Sequence, residues 1–213
     1  MRMLSACEYS GIVRDAFENA GWDAWSCDIL PTESEQTIKS GKHYQCDVLD
    51  VINAQKRDLM IGFPPCTYLS FAYCGKERYS NERLRKKIEA YQFFLDLWSA
   101  DIPHICLENP MGYIHSGLLP YSQIIEPFYF GHDYRKKTCL WLKNLPLLEY
   151  SKSDTLFSKR TAKTPTHLLV SGSGKKSKLP ELMKPFTNGI LKSKFHPKVA
   201  AAMAEQWTKY LEK

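Results

Sequence analysis

At 213 residues, 44% of them hydrophobic and 24% charged, the chain has the composition of a globular protein and enough length to bury a core, which excludes wholesale disorder. Seven cysteines, odd in number and scattered, with no C-x-x-C pair and no histidines at zinc spacing, argue against a disulfide scaffold or a structural metal. The formal charge is +6, yet residues 151–198 hold ten lysines and Arg160 against only Asp154 and Glu181. Basicity confined to one region points to a polyanion partner, nucleic acid before membrane, or else to a solvated lysine-rich loop. No apolar run approaches bilayer length and the first ten residues lack a signal-peptide core, so a cytoplasmic chain with no membrane partner is expected.

Met1 to Ala6 reads as a short apolar strand running into Cys7-Glu8-Tyr9-Ser10-Gly11. Val13, Ala16, Phe17 and Ala20 then recur with helical period until Gly21 stops them. Strand, small-residue turn and helix open a nucleotide-binding α/β unit, in which N–H groups at the helix start face an acidic ligand. Asp23 to Cys27 is the second strand, and Asp28 at its tip is placed either to accept from ribose hydroxyls or to cap its own loop. A polar stretch, Pro31 to Tyr44, leads to a third strand before Asp47, whose carboxylate would hold an adenine amino group.

The fourth strand, Leu59-Met60-Ile61, stops at Gly62 and at two prolines, Pro64 and Pro65, which fix φ and cannot continue a ladder. Cys66 follows at once. Most cysteines are small buried hydrophobes, but rigidity before a thiol serves no packing purpose, and an open α/β sheet binds its ligands at such strand ends. A loop from Phe71 to Ser80 leads to a helix from Asn81 to Ala100, basic at its start (Arg83, Arg85, Lys86, Lys87) and apolar in its second half. The fifth strand, His104 to Leu107, runs into Glu108-Asn109-Pro110, a carboxyl and an amide again fixed by a proline, with a helix N-cap or loop contact as the plainer role for Glu108. Adjacent parallel strands ending in Cys66 and Glu108 would put both groups in one crevice. Pro127 to Phe130 and Thr138 to Leu142 read as an antiparallel hairpin around a basic turn. Residues 144–194 are irregular, and Pro197 to Leu211 is a terminal helix with an apolar stripe.

The order of these motifs resembles the C5-cytosine DNA methyltransferases, and within them the short members of phage and prophage genomes. Ser5 to Gly11 stands at the first motif, Gly62-Phe63-Pro64-Pro65-Cys66 at the Pro-Cys motif, Glu108-Asn109-Pro110 at the Glu-Asn-Val motif, and Arg135-Lys136-Lys137 at the Arg-x-Arg motif. The helix after His196-Pro197 resembles the last motif. The first motif lacks most of the family's glycines, Thr67 replaces its glutamine, and Lys137 its second arginine.

The resemblance implies an α/β, three-layer Rossmann-like methyltransferase fold, its mostly parallel sheet carrying an antiparallel hairpin at one edge. Residues 1–145 and 194–213 would form the catalytic domain, and residues 146–193 a basic insertion too short for a full target-recognition domain. It implies S-adenosylmethionine as cofactor, held by Ala6, Cys7, Glu8, Tyr9, Ser10, Gly11, Asp28, Ile29, Asp47, Val48 and Pro64. It implies DNA, duplex or single-stranded, as partner, bound through Pro65, Ser70, Asn109 and Pro110. Cys66 would add to C6 of cytosine, Glu108 would hold N3 and the exocyclic amine, and Arg135 and Lys137 would steady Glu108 or a phosphate. The same Cys and Glu would also serve a free pyrimidine nucleotide, and a degenerate member that binds nucleic acid without catalysis is the non-enzymatic alternative.

Overall fold

The structure, a computed structural model, describes residues 1–70, 80–151, 161–163, 165, 167–168, 184–185 and 194–213. Seven strands form one sheet: β1 (Arg2–Ala6), β2 (Asp23–Asp28), β3 (His43–Gln45), β4 (Leu59–Gly62), β5 (His104–Asn109), β6 (Gln123–Ile125) and β8 (Thr138–Lys143). Their order is β3-β2-β1-β4-β5-β8-β6, parallel from β3 to β5, with β8 inserted antiparallel between β5 and β6. This is a Rossmann-like α/β sheet, parallel except for its antiparallel edge. A second sheet of two-residue strands joins β7 (Tyr134–Arg135), β9 (His167–Leu168) and β10 (Lys184–Pro185).

The central strands are apolar at consecutive positions because both faces of the sheet are covered. One face carries Met3, Leu59, Ile61, Cys106 and Leu140 against α1 (Ile12–Asn19) and the terminal helix α6 (Pro197–Leu211), whose Trp207 is fully buried. The other carries Leu4, Met60, Ile105, Leu107 and Trp141 against Phe94 and Leu97 of α4 (Asn81–Trp98). The alternation Leu59, Met60, Ile61 and again Ile105, Cys106, Leu107 assigns successive side chains to opposite layers. Glu108 therefore lies on the α1/α6 side with Cys106, and Asn109 on the α4 side.

Two short helices, α2 (Glu35–Ser40) and α3 (Val48–Val51), and a five-residue α5 (Tyr113–Gly117) complete the elements. The expected polar stretch 31–44 contains α2, capped by the Ser34 hydroxyl accepting from the Thr37 N–H. The expected strand Pro127–Phe130 is instead a 3-10 turn, and the hairpin partner of β8 is β6. Pro127 has no N–H for a ladder and sits at the start of that turn, where none is needed. The loop expected from Phe71 to Ser80, apart from Ser80, and most of the expected insertion 146–193 lie outside the described residues. At the start of that insertion, Leu148 is buried and Tyr150 stacks on Tyr129 at 4.2 Å between ring centroids. Among the described residues no helix is long and apolar enough to cross a membrane.

Candidate active site

The loops after β4 and β5 are stitched into one unit. Asn109 Nδ2 donates to the Pro64 carbonyl at 2.7 Å, so the tip of β5 holds the backbone two residues before Cys66. The Tyr113 N–H donates to the Leu69 carbonyl at 2.8 Å, and Ser70 bridges Gly112 in antiparallel fashion. Gly112 is an extended residue, required for its smallness rather than its φ: a Cβ there would overlap the Leu69 carbonyl oxygen. Gly62 likewise admits Leu107, whose Cδ2 would lie 2.7 Å from an added Cβ.

Cys66 is exposed at this seam, while enough protein surrounds its thiol for burial to push its pKa up. The Glu108 carboxylate raises it further and Lys136 pulls it back, so the three groups lie within electrostatic reach of one another. Burial also pushes the Glu108 carboxyl above the ordinary carboxylate range, opposed by Lys136 and by the Thr138 hydroxyl. Thr138 is fully buried, and its hydroxyl has no hydrogen-bond partner of normal geometry among the described residues. Among the described residues, a thiol, a carboxyl that holds its proton more tightly than an ordinary one, and the cation of Lys136 therefore share a single hollow. Phe195 packs on Phe63 at 4.9 Å between ring centroids, and buried His196, kept neutral by burial and Lys136, bonds the Tyr134 hydroxyl at 2.9 Å. The segment before α6 thus closes one side of this hollow.

The first loop is built differently. Cys7 adopts φ 58° at the tip of β1, and Gly11 turns the chain into α1 at φ 73°. Glu8, 4% exposed, accepts from Ser5 Oγ (2.5 Å), Ser10 Oγ (3.0 Å), and the N–H groups of Val13 (2.8 Å) and Arg14 (3.2 Å). An internal carboxylate thus occupies the helix start, where a glycine-rich loop would leave N–H groups for a bound anion. Cys7 faces Asp28 and Asp47, whose charges add to burial in raising its pKa. Asp28 Oδ1 accepts from the Leu30 N–H and Asp47 Oδ1 from the Leu49 N–H, so each carboxylate also serves its own loop. Ile29, next to Asp28 in the chain, is 74% exposed, and Val48, next to Asp47, is buried. Ala6 is buried and accepts from the Phe63 N–H, and Tyr9 accepts from the Glu33 N–H. The Asp28 and Asp47 carboxylates would suit a cationic group, and exposed Ile29 would suit an apolar ring. This rim does not fit a pyrophosphate, because Glu8 already holds the helix N–H groups.

No family profile matches the sequence, and no curated protein matches it. Solved structures do. An E. coli prophage protein described as a DNA modification methyltransferase is 16% identical, with 77% of this chain and 52% of that one covered and a TM-score of 0.44. Dnmt2 methyltransferase of S. pombe is 19% identical over 67% and 50%, with a TM-score of 0.48. The Entamoeba histolytica methyltransferase EhMeth is 14% identical over 77% and 57%, with a TM-score of 0.45. The chain spans about half the length of these structures.

The structure brings Cys66, Glu108 and Asn109 together, with Pro64 buried and Pro65 exposed beside them. Pro110 is half-buried directly after Asn109, and Ser70 is buried at the seam. Arg135 lies elsewhere. Its guanidinium forks onto Glu126, Nε to Oε2 at 3.0 Å and Nη2 to Oε1 at 2.6 Å, and Glu126 is 2% exposed. Lys137 acts on Cys139, on the opposite face of β8: burial and then the Glu108 charge push that thiol up to about 11, and Lys137 pulls it back. The cation at Glu108 is Lys136, which motif spacing passes over. Lys136 lies just before β8: the alternation of that strand, carried back from Leu140, the partner of Glu108, through Thr138, reaches it.

Proposed function

We infer that the chain methylates C5 of cytosine in DNA through a covalent bond to Cys66. The observation that carries this reading is the seam itself: Asn109 ties the tip of β5 to Pro64, so a thiol and a raised carboxyl meet in one hollow. Cytosine C5 is a poor nucleophile until C6 is attacked, and Cys66 as thiolate is the attacking group. The Glu108 carboxyl gives its proton to N3 as the Sγ–C6 bond forms, so the ring electrons pass to C5 rather than collecting on nitrogen. S-adenosylmethionine, held by the Cys7, Asp28, Ile29 and Asp47 rim, would supply the methyl as a sulfonium electrophile. Loss of the C5 proton to a base then breaks the Sγ–C6 bond, the electron pair returns to sulfur, and Glu108 recovers the N3 proton. Lys136 lowers the cost of the thiolate.

The test presents labelled cofactor with cytosine-containing DNA, and separately with DNA carrying 5-fluorocytosine, whose C5–F bond blocks the final elimination. A stable adduct mapped by mass spectrometry to the Cys66 peptide is expected. Cys66→Ala should abolish the adduct and lower methylation by about 10⁴-fold or more. Methylation surviving in that variant would remove the thiol from the reaction.

A further inference from the structure

Beside the Cys66 seam, the first half of α4 presents cations to aromatic rings. Arg83 Cζ and Lys86 Nζ lie 5.2 and 5.8 Å from the Tyr68 ring centroid, and Lys87 Nζ lies 3.3 Å from that of Tyr113 and 5.6 Å from that of Tyr91. Tyr68 is two residues after Cys66, and Tyr113 donates its N–H to Leu69, so both rings belong to the two loops that build the site. Arg83 also donates to the Thr67 carbonyl at 3.5 Å, fastening the helix to the residue next to Cys66.

The placement of these charges carries an energetic cost. Arg83, Arg85, Lys86 and Lys87 occupy the first two turns of α4, near the positive end of the helix dipole, and Glu82, paired with Lys86 at 2.8 Å, is the one acidic residue in those turns. This half of the helix is also poorly packed: Leu84 and Ile88 are 56% and 58% exposed, whereas Phe94 and Leu97 in the second half are fully buried. A run of cations on the positive end of a thinly packed helix attracts a polyanion. Alternating rings and cations suit unpaired bases that stack while their phosphates follow the charges.

We propose that the first half of α4, with Tyr68 and Tyr113, is a holding surface for single-stranded DNA leading into the Cys66 hollow. It rests on the cytosine reading and narrows its substrate: the bases on either side of the target stack on tyrosines while Arg83, Lys86 and Lys87 take the phosphates. Duplex DNA offers no such faces, because its bases are already stacked on one another.

The experiment measures binding of the full chain to fluorescent oligodeoxycytidine, alone and annealed to its complement, over a range of salt, with labelled-cofactor transfer read on the same oligonucleotides. The wild type should bind the single strand more tightly. The triple variant Arg83→Gln, Lys86→Gln, Lys87→Gln should weaken that binding and flatten its salt dependence by about 0.7 for each phosphate no longer neutralised. Tyr68→Ala should weaken it about five- to hundredfold with the salt slope kept. A charge-matched control, Lys39→Gln, Lys209→Gln, Lys213→Gln, should leave the strand affinity close to wild type. Melting curves check each fold, with Lys87→Gln alone as the milder variant. Tighter binding to duplex, or equal losses in the triple variant and the control, overturns the proposal. Strand binding that needs these cations without any methyl transfer refutes the reaction and keeps the surface. Methyl transfer with binding indifferent to them does the reverse.

Discussion

Glu8 and Glu108 are the same residue in opposite states of use. Both are raised above the ordinary carboxylate range by burial, and both sit where a central strand gives way to a loop. Glu8 has two hydroxyls and two helix N–H groups donating to it and is 4% exposed. Among the described residues, Glu108 has the charge of Lys136 within electrostatic reach and the buried, unpartnered hydroxyl of Thr138 on the same face, but no hydrogen bond of normal geometry. A buried carboxylate whose lone pairs are all satisfied holds a fold together, whereas one left under-satisfied in a cleft stores free energy that a substrate can recover. Glu8 thus ties the loop after β1 to the start of α1, while Glu108 awaits a partner.

The largest expected effect follows from the open carboxyl. Glu108→Gln should cut methyl transfer about 10²- to 10⁴-fold, because the amide cannot deliver a proton to N3. Its effect on stability should have the other sign. A carboxyl with a folded pKa above its unfolded one binds its proton more tightly in the native state. Its contribution is therefore complete below the unfolded pKa and lost as pH rises through the folded one. The glutamine variant should melt above the wild type at pH 8, and the gap should close toward pH 4. A lower melting temperature at pH 8 would mean that Glu108 is satisfied after all.

Glu8→Ala should do what Glu108→Gln does not. Removing the acceptor orphans two N–H groups of α1 and two hydroxyls, at a cost of about 2–3 kcal/mol in chemical denaturation. Gly112→Ala comes next, at about 1–3 kcal/mol, because a methyl there drives into the Leu69 carbonyl and parts the two site loops. Methyl transfer should fall in step with that separation. An unchanged midpoint in either variant would show that the loop in question repacks without its cap or its glycine.

The layered sheet is legible in the sequence because apolar runs such as Leu59-Met60-Ile61 and the strand before Glu108 are too short for helices and are buried on both faces. The thiol and carboxyl are legible for a related reason, since prolines fix the chain just beyond both strand tips. Three features are not. β6 is a three-residue strand with no alternation to betray it, so the more apolar Pro127–Phe130 reads as the strand in its place. Glu8 looks like an intruder in a glycine loop, because a carboxylate folding back onto α1 requires hydrogen bonds that residue order does not show. Lys136 is hidden by parity. In a basic run of three, a motif spaced by two selects Arg135 and Lys137, while the pairing of Glu108 with Leu140 selects the residue between.

Parity can be tested through the sulfur. The rate of Cys66 alkylation by iodoacetamide, followed on its peptide by mass spectrometry, tracks the thiolate fraction, so its pH midpoint reports the thiol's pKa. Glu108 raises that pKa and Lys136 lowers it. Glu108→Gln should therefore move the midpoint to lower pH and Lys136→Gln to higher pH. Arg135→Gln should leave it in place, although losing the fork onto Glu126 will cost some stability, moderated by solvent because the Arg135 side chain is 38% exposed. In the double variant Glu108→Gln, Lys136→Gln the two shifts oppose, and the midpoint should fall between those of the single variants. If Arg135→Gln moves the midpoint as far as Lys136→Gln, the cation is chosen by motif spacing rather than by strand alternation. The hollow would then be wide enough for both side chains, and Glu108 would no longer be the under-satisfied member of the pair.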